Sequence, residues 1–231
     1  MPRTLHILSG GAAMGLVQRL QADFEAQHDC RLEGTYGAVG LMKDKLAGGA
    51  PCDLLVLSQA LVQGLGAEGR ADAASARPLG VVKTGVAIRQ GRAPVSVRTP
   101  EDLKALLQAA PAIYFPDPAK ATAGIHFMKV LQALGLAGDE RKLRTFPNGA
   151  TAMAELAKAP EPDAVGSTQV TEILIAPGVQ LTGLLPPPHD LATTYTAAVS
   201  ATAQEPELAR ALIAALTAPE AAQARRECGF E

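Results

Sequence analysis

Apolar positions along the chain switch repeatedly between a short continuous run and a three-to-four-residue stripe. Leu5 to Leu8 is a run of strand length, and a Gly10-Gly11 turn follows it. Leu16, Leu20 and Phe24 then fall at i, i+4 and i+8, one apolar stripe of a helix. The rhythm repeats: Arg31 to Tyr36 predicts a second strand, Gly37 to Gly40 a turn, and Leu41 to Leu46 a short helix. Cys52 to Leu57 predicts a third strand ending at Ser58, with a helix near Gln59 to Gly64. Gly69 to Pro78 is small and polar and predicts a surface loop; Val81 to Ile88 predicts a long strand.

The second half keeps the alternation. Thr99-Pro100-Glu101-Asp102 predicts a helix start, with Thr99 as N-cap, Pro100 at the first helical position and acids in the first turn. Ala112 to Phe115 predicts a strand, 116–121 a loop, and Thr122 to Leu134 a helix. Ala150 to Ala157 predicts another helix and Ala164 to Gly166 a short strand, with Ser167-Thr168-Gln169 opening the helix after it. Val179 to Leu184 and Thr194 to Ser200 predict strands on either side of the rigid Pro186-Pro187-Pro188 break. Helices over Pro206 to Leu216 and Pro219 to Arg226 complete the chain. Strands alternating with helices predict an α/β protein built of βα units on mostly parallel sheets.

Composition narrows the function classes. A chain of 231 residues can bury one sizeable core or two modest ones, and 48% hydrophobic with 19% charged residues excludes disorder. The net charge of −2 with scattered basic residues argues against a nucleic-acid partner. No apolar run approaches the roughly 20 residues of a membrane-spanning helix. Cys30, Cys52 and Cys228 are odd in number and far apart, and His6, His28, His126 and His189 are equally scattered. That spacing predicts neither a disulfide framework nor a metal site, but three buried thiols, and no cofactor is called for. Met1-Pro2-Arg3-Thr4 leads straight into Leu5, too short a lead for an export signal. The chain as written therefore predicts a cytoplasmic protein, or a periplasmic one if it is a trimmed mature form.

Open parallel sheets bind ligands at the carboxyl ends of their strands. Four such ends carry small or hydroxyl residues before a helix: Ser9-Gly10-Gly11-Ala12, Tyr36-Gly37-Ala38-Val39-Gly40, Lys120-Ala121-Thr122-Ala123-Gly124 and Gly166-Ser167-Thr168-Gln169. Helix starts expose unpaired N–H groups and partial positive charge, so these ends predict an anion cradle. Singly, each is more commonly a tight connection. Asn148 and Gly149 mark one further helix start. Lys120 could pair with a carboxylate or be a solvated lysine; Ser167 could touch ligand, cap its helix, or do both. Tyr36 and Tyr195 fit core-edge packing better than a phenolic donor's place in a cleft, and His126 fits a satisfied, partly buried histidine better than a catalytic one. Glu172 fits loop support or solvent better than a base. No Ser-His-Asp spacing, metal pair or phosphate loop is present, and which of Lys120, His126, Asp117 and Glu172 could act in catalysis stays open.

The run Ala47-Gly48-Gly49-Ala50-Pro51-Cys52-Asp53-Leu54 resembles the A-G-A-P-A-D segment of the molybdate-binding branch of periplasmic solute-binding proteins. Asp117-Pro118 with Ala123-Gly124-Ile125, and the ending Cys228-Gly229-Phe230, are similar to two more motifs of that family. The resemblance implies the two-lobed type II periplasmic-binding-protein fold with the ligand cleft between lobes. It puts 1–80 plus 193–231 in lobe 1 and 81–189 in lobe 2, with crossovers near 80–84 and 185–193. Family members that hold molybdate use two serines and a late tyrosine; the matching positions here are Ala12, Ala38 or Val39, and Ser167. Ser9 and Thr122 are left to compensate in part. Gly10-Gly11-Ala12-Ala13 and Gly166-Ser167-Thr168-Gln169-Val170-Thr171-Glu172-Ile173 resemble instead the branch containing aconitate isomerase, where small residues leave room for a larger carboxylate. The implied function is a monomeric solute-binding protein for a small oxyanion or organic carboxylate, not selective for molybdate. It would serve an ABC permease if exported. The alternatives are a cytosolic isomerase on the same scaffold and, more remotely, a ligand-sensing domain.

Overall fold

The computed structural model describes residues 3–231. Met1 and Pro2, on which part of the export reading and the first lobe's start rest, lie outside the described residues. The chain divides into two compact units, one holding the residues up to Val82 with Thr193–Glu231, the other Lys83–Ala192.

In the first unit β1 (Arg3–Gly10) pairs in parallel with β2 (Cys30–Gly37) along its whole length, from Arg3↔Cys30 to Gly10↔Gly37. On its other side β1 pairs in parallel with β3 (Leu54–Ser58), and β3 pairs antiparallel with β9 (Ala192–Val199). The sheet is covered by α1 (Met14–His28), α2 (Val39–Ala47), α3 (Gln59–Ala67), α8 (Pro206–Thr217) and α9 (Ala222–Glu227). The predicted stripe of α1 faces inward: Leu16 and Phe24 are buried and Leu20 is partly buried against the same core. Leu208, Leu212 and Leu216 of α8 complete that core at i, i+4 and i+8. Asp53 ties this layer together. Its carboxylate is buried and accepts the backbone N–H groups of His6, Gln204 and Glu205 at 2.7, 2.6 and 3.0 Å. The motif aspartate thus joins β1 to the loop before α8.

β4 (Arg77–Arg89) runs from the first unit into the second. There it pairs antiparallel with β7 (Val165–Gln169) and β8 (Val179–Leu184), while β5 (Ile113–Pro116) pairs in parallel with β6 (Leu143–Phe146) and β7. Each unit therefore has a mixed sheet, with parallel ladders joined by antiparallel strands. α4 (Pro100–Ala109) starts with the predicted cap: Thr99 Oγ1 accepts from Asp102 N, and the Asp102 carboxylate accepts from Thr99 N. One face of the sheet carries Val86, Ile88, Phe115 and Val165 under Phe127 of α5 (Thr122–Ala133). The other carries Ala87 and Tyr114 under Met153 and Leu156 of α6 (Gly149–Ala157).

Several local expectations change. Ser167, Thr168 and Gln169 do not open a helix; they are the last residues of β7, and α7 (Val170–Leu174) begins after them. The antiparallel ladder with β4 extends the strand this far, pairing Thr84↔Gln169, Gly85↔Thr168 and Val86↔Ser167. β6 was not expected at all; it is a half-exposed edge strand with little apolar alternation to betray it. β4 starts at Arg77, within the span expected to be loop, and the remainder of that loop holds a 3₁₀ turn at Ala73–Ser75. All three cysteines are free and buried, as their spacing predicted. Among the described residues no helix is long and apolar enough to cross a membrane.

Candidate functional site

In the first unit the ends of β1 and β2 lie level, with Ser9↔Tyr36 and Gly10↔Gly37 opposite each other. Gly11–Ala13 forms a buried 3₁₀ turn into α1, and neither α1, after Ala13, nor α2, after Ala38, has a side-chain cap. Ala13 and Ala38 thus leave the helix starts without a side-chain cap of their own, although Met14 N–H donates to the Gly11 carbonyl of the 3₁₀ turn. Gly10 is obligatory here for packing: a Cβ would lie 2.9 Å from Tyr195 Cε1 and 2.9 Å from Val39 Cγ1. Ser9 is buried and its hydroxyl already donates to the Gly10 carbonyl at 2.8 Å. Tyr36 turns its ring back over Gly34 rather than past the strand end, and burial pushes its phenol up to about 12. Tyr195 lies against Gly10 at this strand end. Only the β9–β3 pairing, Tyr195↔Ser58, brings it there.

In the second unit β5 leads to α5 through Asp117, whose carboxylate accepts from Ala119 N at 2.6 Å and Lys120 N at 3.3 Å. This turn seats the uncapped start of α5 after Ala121 against the end of β5. A Cβ on Gly124 would lie 2.2 Å from the Pro116 carbonyl oxygen. Ala123 is buried, Thr122 half-buried, and the Lys120 side chain exposed. His126 Nε2 donates to the His189 carbonyl at 2.7 Å, so this histidine is a satisfied one.

Asn148 and Gly149 stand at the start of α6. Asn148 Oδ1 caps α6 by accepting from Thr151 N at 2.8 Å. Ser167 is no cap; its hydroxyl donates to the Gly85 carbonyl at 3.0 Å. Thr168 donates to Glu172 Oε2 at 2.6 Å, and the same buried carboxylate accepts backbone N–H groups from Gln169, Ala150 and Gly149. Glu172 does not face solvent: it is an internal carboxyl held at the start of α6. The sequence signal for it is the i, i+4 spacing from Thr168.

Within the first unit the starts of α1 and α2, and within the second the start of α5, present backbone N–H groups and partial positive charge of the kind that suits a small anion, while the Ser9 and Ser167 hydroxyls are engaged by neighbouring carbonyls. A family model described as bacterial extracellular solute-binding protein matches residues 5–231. The chain belongs to that family. Among curated proteins this family member is 26% identical over 237 residues to an aconitate isomerase of Pseudomonas sp., covering 99% of this chain and 87% of the other. The periplasmic molybdate-binding protein of Azotobacter vinelandii matches its fold with a TM-score of 0.82 at 17% identity, covering 98% of each chain. The sulfate-binding protein of Mycobacterium tuberculosis matches with a TM-score of 0.77 at 18% identity, over 99% of this chain and 86% of that one. The fold is thus that of the periplasmic binding proteins.

For this solute-binding family member Glu172 gives a pH signature. Burial raises its pKa, and the bonds from Thr168, Gln169, Ala150 and Gly149 only partly offset that. A carboxyl whose pKa is higher folded than unfolded stabilises the fold most below the unfolded value, and that contribution fades as pH rises through the folded one. Glu172→Gln is therefore expected to gain stability relative to the parent as pH is raised from 4.5 upward, read from urea melts across pH. A difference that does not change with pH would show the carboxyl unshifted.

Proposed function

We propose that the chain holds a small organic carboxylate through backbone amides at Gly10, Gly11, Ala12, Ala38 and Val39 in one unit. Lys120, Thr122 and Ala123 would do so in the other. The observation that carries this reading is the set of uncapped helix starts behind small residues, in α1, α2 and α5. Their donors suit negative charge. Ala12 and Ala38 bring no hydroxyl, and the Ser9 hydroxyl is engaged by Gly10, which weakens the case for molybdate and leaves space for a bulkier anion. The names of the similar proteins, for molybdate, sulfate and aconitate, all concern small anions. Lys120 lies outermost and would meet a carboxylate as a point charge. If the chain is exported, an ABC permease is the partner this role requires.

A thermal-shift panel of citrate, cis-aconitate, trans-aconitate, sulfate and molybdate tests the proposal. A ligand at 100 times its Kd stabilises by about 2.7 kcal/mol, a shift of several degrees. The tricarboxylates should shift the transition and molybdate should not. A shift with molybdate alone, or with no anion, contradicts the reading.

The similarity to aconitate isomerase along 99% of the chain favours a second reading, in which the bound carboxylate is also isomerised. Time-resolved proton NMR of cis- and trans-aconitate at high protein concentration decides it. Interconversion supports the enzyme, and unchanged spectra remove it.

A further inference from the structure

Gln169, the last residue of β7, is 2% exposed, and among the described residues neither its Nε2 nor its Oε1 has a hydrogen-bond partner. Directly opposite it in the β4–β7 ladder stands Thr84, 1% exposed, with an Oγ1 in the same condition. A buried polar group left unpaired is costly, because it gives up its bonds to water and gains none in return. Two adjacent residues carry that cost here without return from the chain itself.

Strand alternation fixes which face they take. Gly166 and Thr168 point toward α6: a Cβ on Gly166 would meet Met153 and Leu156, and Thr168 bonds Glu172. Val165 points the other way, into the core with Val86, Ile88 and Phe127, so Gln169 and Thr84 share that face. This is the face α5 covers, with Phe127 edge-on to Phe115 of β5 at 5.4 Å between ring centroids. The register Tyr114↔Gly166 sets β5 and β7 level, and α5 begins at the carboxyl end of β5, where Gly124 meets Pro116. The Gln169 amide and the uncapped start of α5 therefore occupy one face at one end of the sheet.

We infer that Gln169, with Thr84 beside it, selects organic acids that carry a hydroxyl next to a carboxylate. The inference deepens the proposed function and rests on its anion site. The helix start supplies donors only. Gln169 adds an amide whose N–H can join them on a carboxylate oxygen, while its carbonyl oxygen requires a donor. A fully deprotonated oxyanion has no donor and leaves that oxygen unpaired; the hydroxyl of a hydroxy acid supplies one.

Calorimetric titration of citrate against tricarballylate, which keeps the three carboxylates and lacks the hydroxyl, reads this out, with L-malate against succinate as a smaller pair. The parent protein should prefer each hydroxy acid at least tenfold. Gln169→Met should bring the ratio to within about twofold, retain the desoxy acids, and melt no lower than the parent because the unpaired amide is gone. Thr84→Val should reduce the ratio in part. A ratio unchanged in Gln169→Met, or a parent that binds the acids without preference, overturns the role of Gln169 and leaves the carboxylate site standing; a parent that binds only sulfate or molybdate overturns both. Failure of the parent to bind any anion overturns both.

Discussion

Asp53→Ala is expected to remove roughly 3 kcal/mol or more of stability, a large share of what holds a marginal fold. The carboxylate is 1% exposed and accepts three backbone N–H groups, from His6, Gln204 and Glu205. Alanine would leave all three donors unpaired, each at about 1–3 kcal/mol less any relief from local rearrangement. Asparagine retains one acceptor oxygen and should lose less. Equilibrium urea unfolding measures both, and a loss under about 1 kcal/mol for alanine would show that water reaches the amides. The prediction gives a physical reason for the aspartate of the Ala47–Leu54 motif: it latches the first strand to the segment that leads into α8.

Gly124→Ala carries the second large effect. Its Cβ would lie 2.2 Å from the Pro116 oxygen and 2.3 Å from the Asp117 oxygen, both backbone atoms that no rotamer change can move. The start of α5 must then lift from the end of β5, and overpacking of this severity costs about 3 kcal/mol or more. Because the displaced segment includes Ala123 and the first N–H groups of α5, affinity for the anion should fall with stability. Gly64→Ala is the control. Gly64 lies within α3, with nothing within 4 Å of its would-be Cβ, and alanine there should be neutral or stabilising by up to about 1 kcal/mol. Equal effects of the two substitutions would contradict the packing argument.

The elements legible in the sequence are those whose signal is local. Val179 to Leu184 was bounded correctly because Gly178 and the proline run frame it, and the start of α4 because Thr99, Pro100 and Asp102 complete a cap by themselves. The small residues behind the first two strands likewise announced the turns into α1 and α2. What stayed hidden depends on partners far away in the chain. The Ser167-Thr168-Gln169 triplet has the composition of a helix start, yet pairing with Thr84–Val86 holds it extended. Glu172 looks like a surface acid until the start of α6 is folded onto it, and β6 exists only because β5 offers it an edge. The distinction within the candidate site follows the same line. Gly10, Gly124 and the uncapped helix starts were foreseeable from residue type, whereas the engagement of Ser9, Ser167 and Asn148 by their own surroundings was not.

If the proposed site is right, backbone N–H groups at particular strand ends receive the ligand's negative charge. Titration of ¹⁵N-labelled protein with citrate, followed by amide chemical shifts, tests it most directly. The largest changes should fall on Gly11, Ala12, Val39, Thr122, Ala123 and their immediate neighbours, with Asn148 and Gly149 less affected because α6 is already capped by Asn148 and Glu172. Saturable shifts confined to other parts of the sheets, with these amides unmoved, would contradict the account.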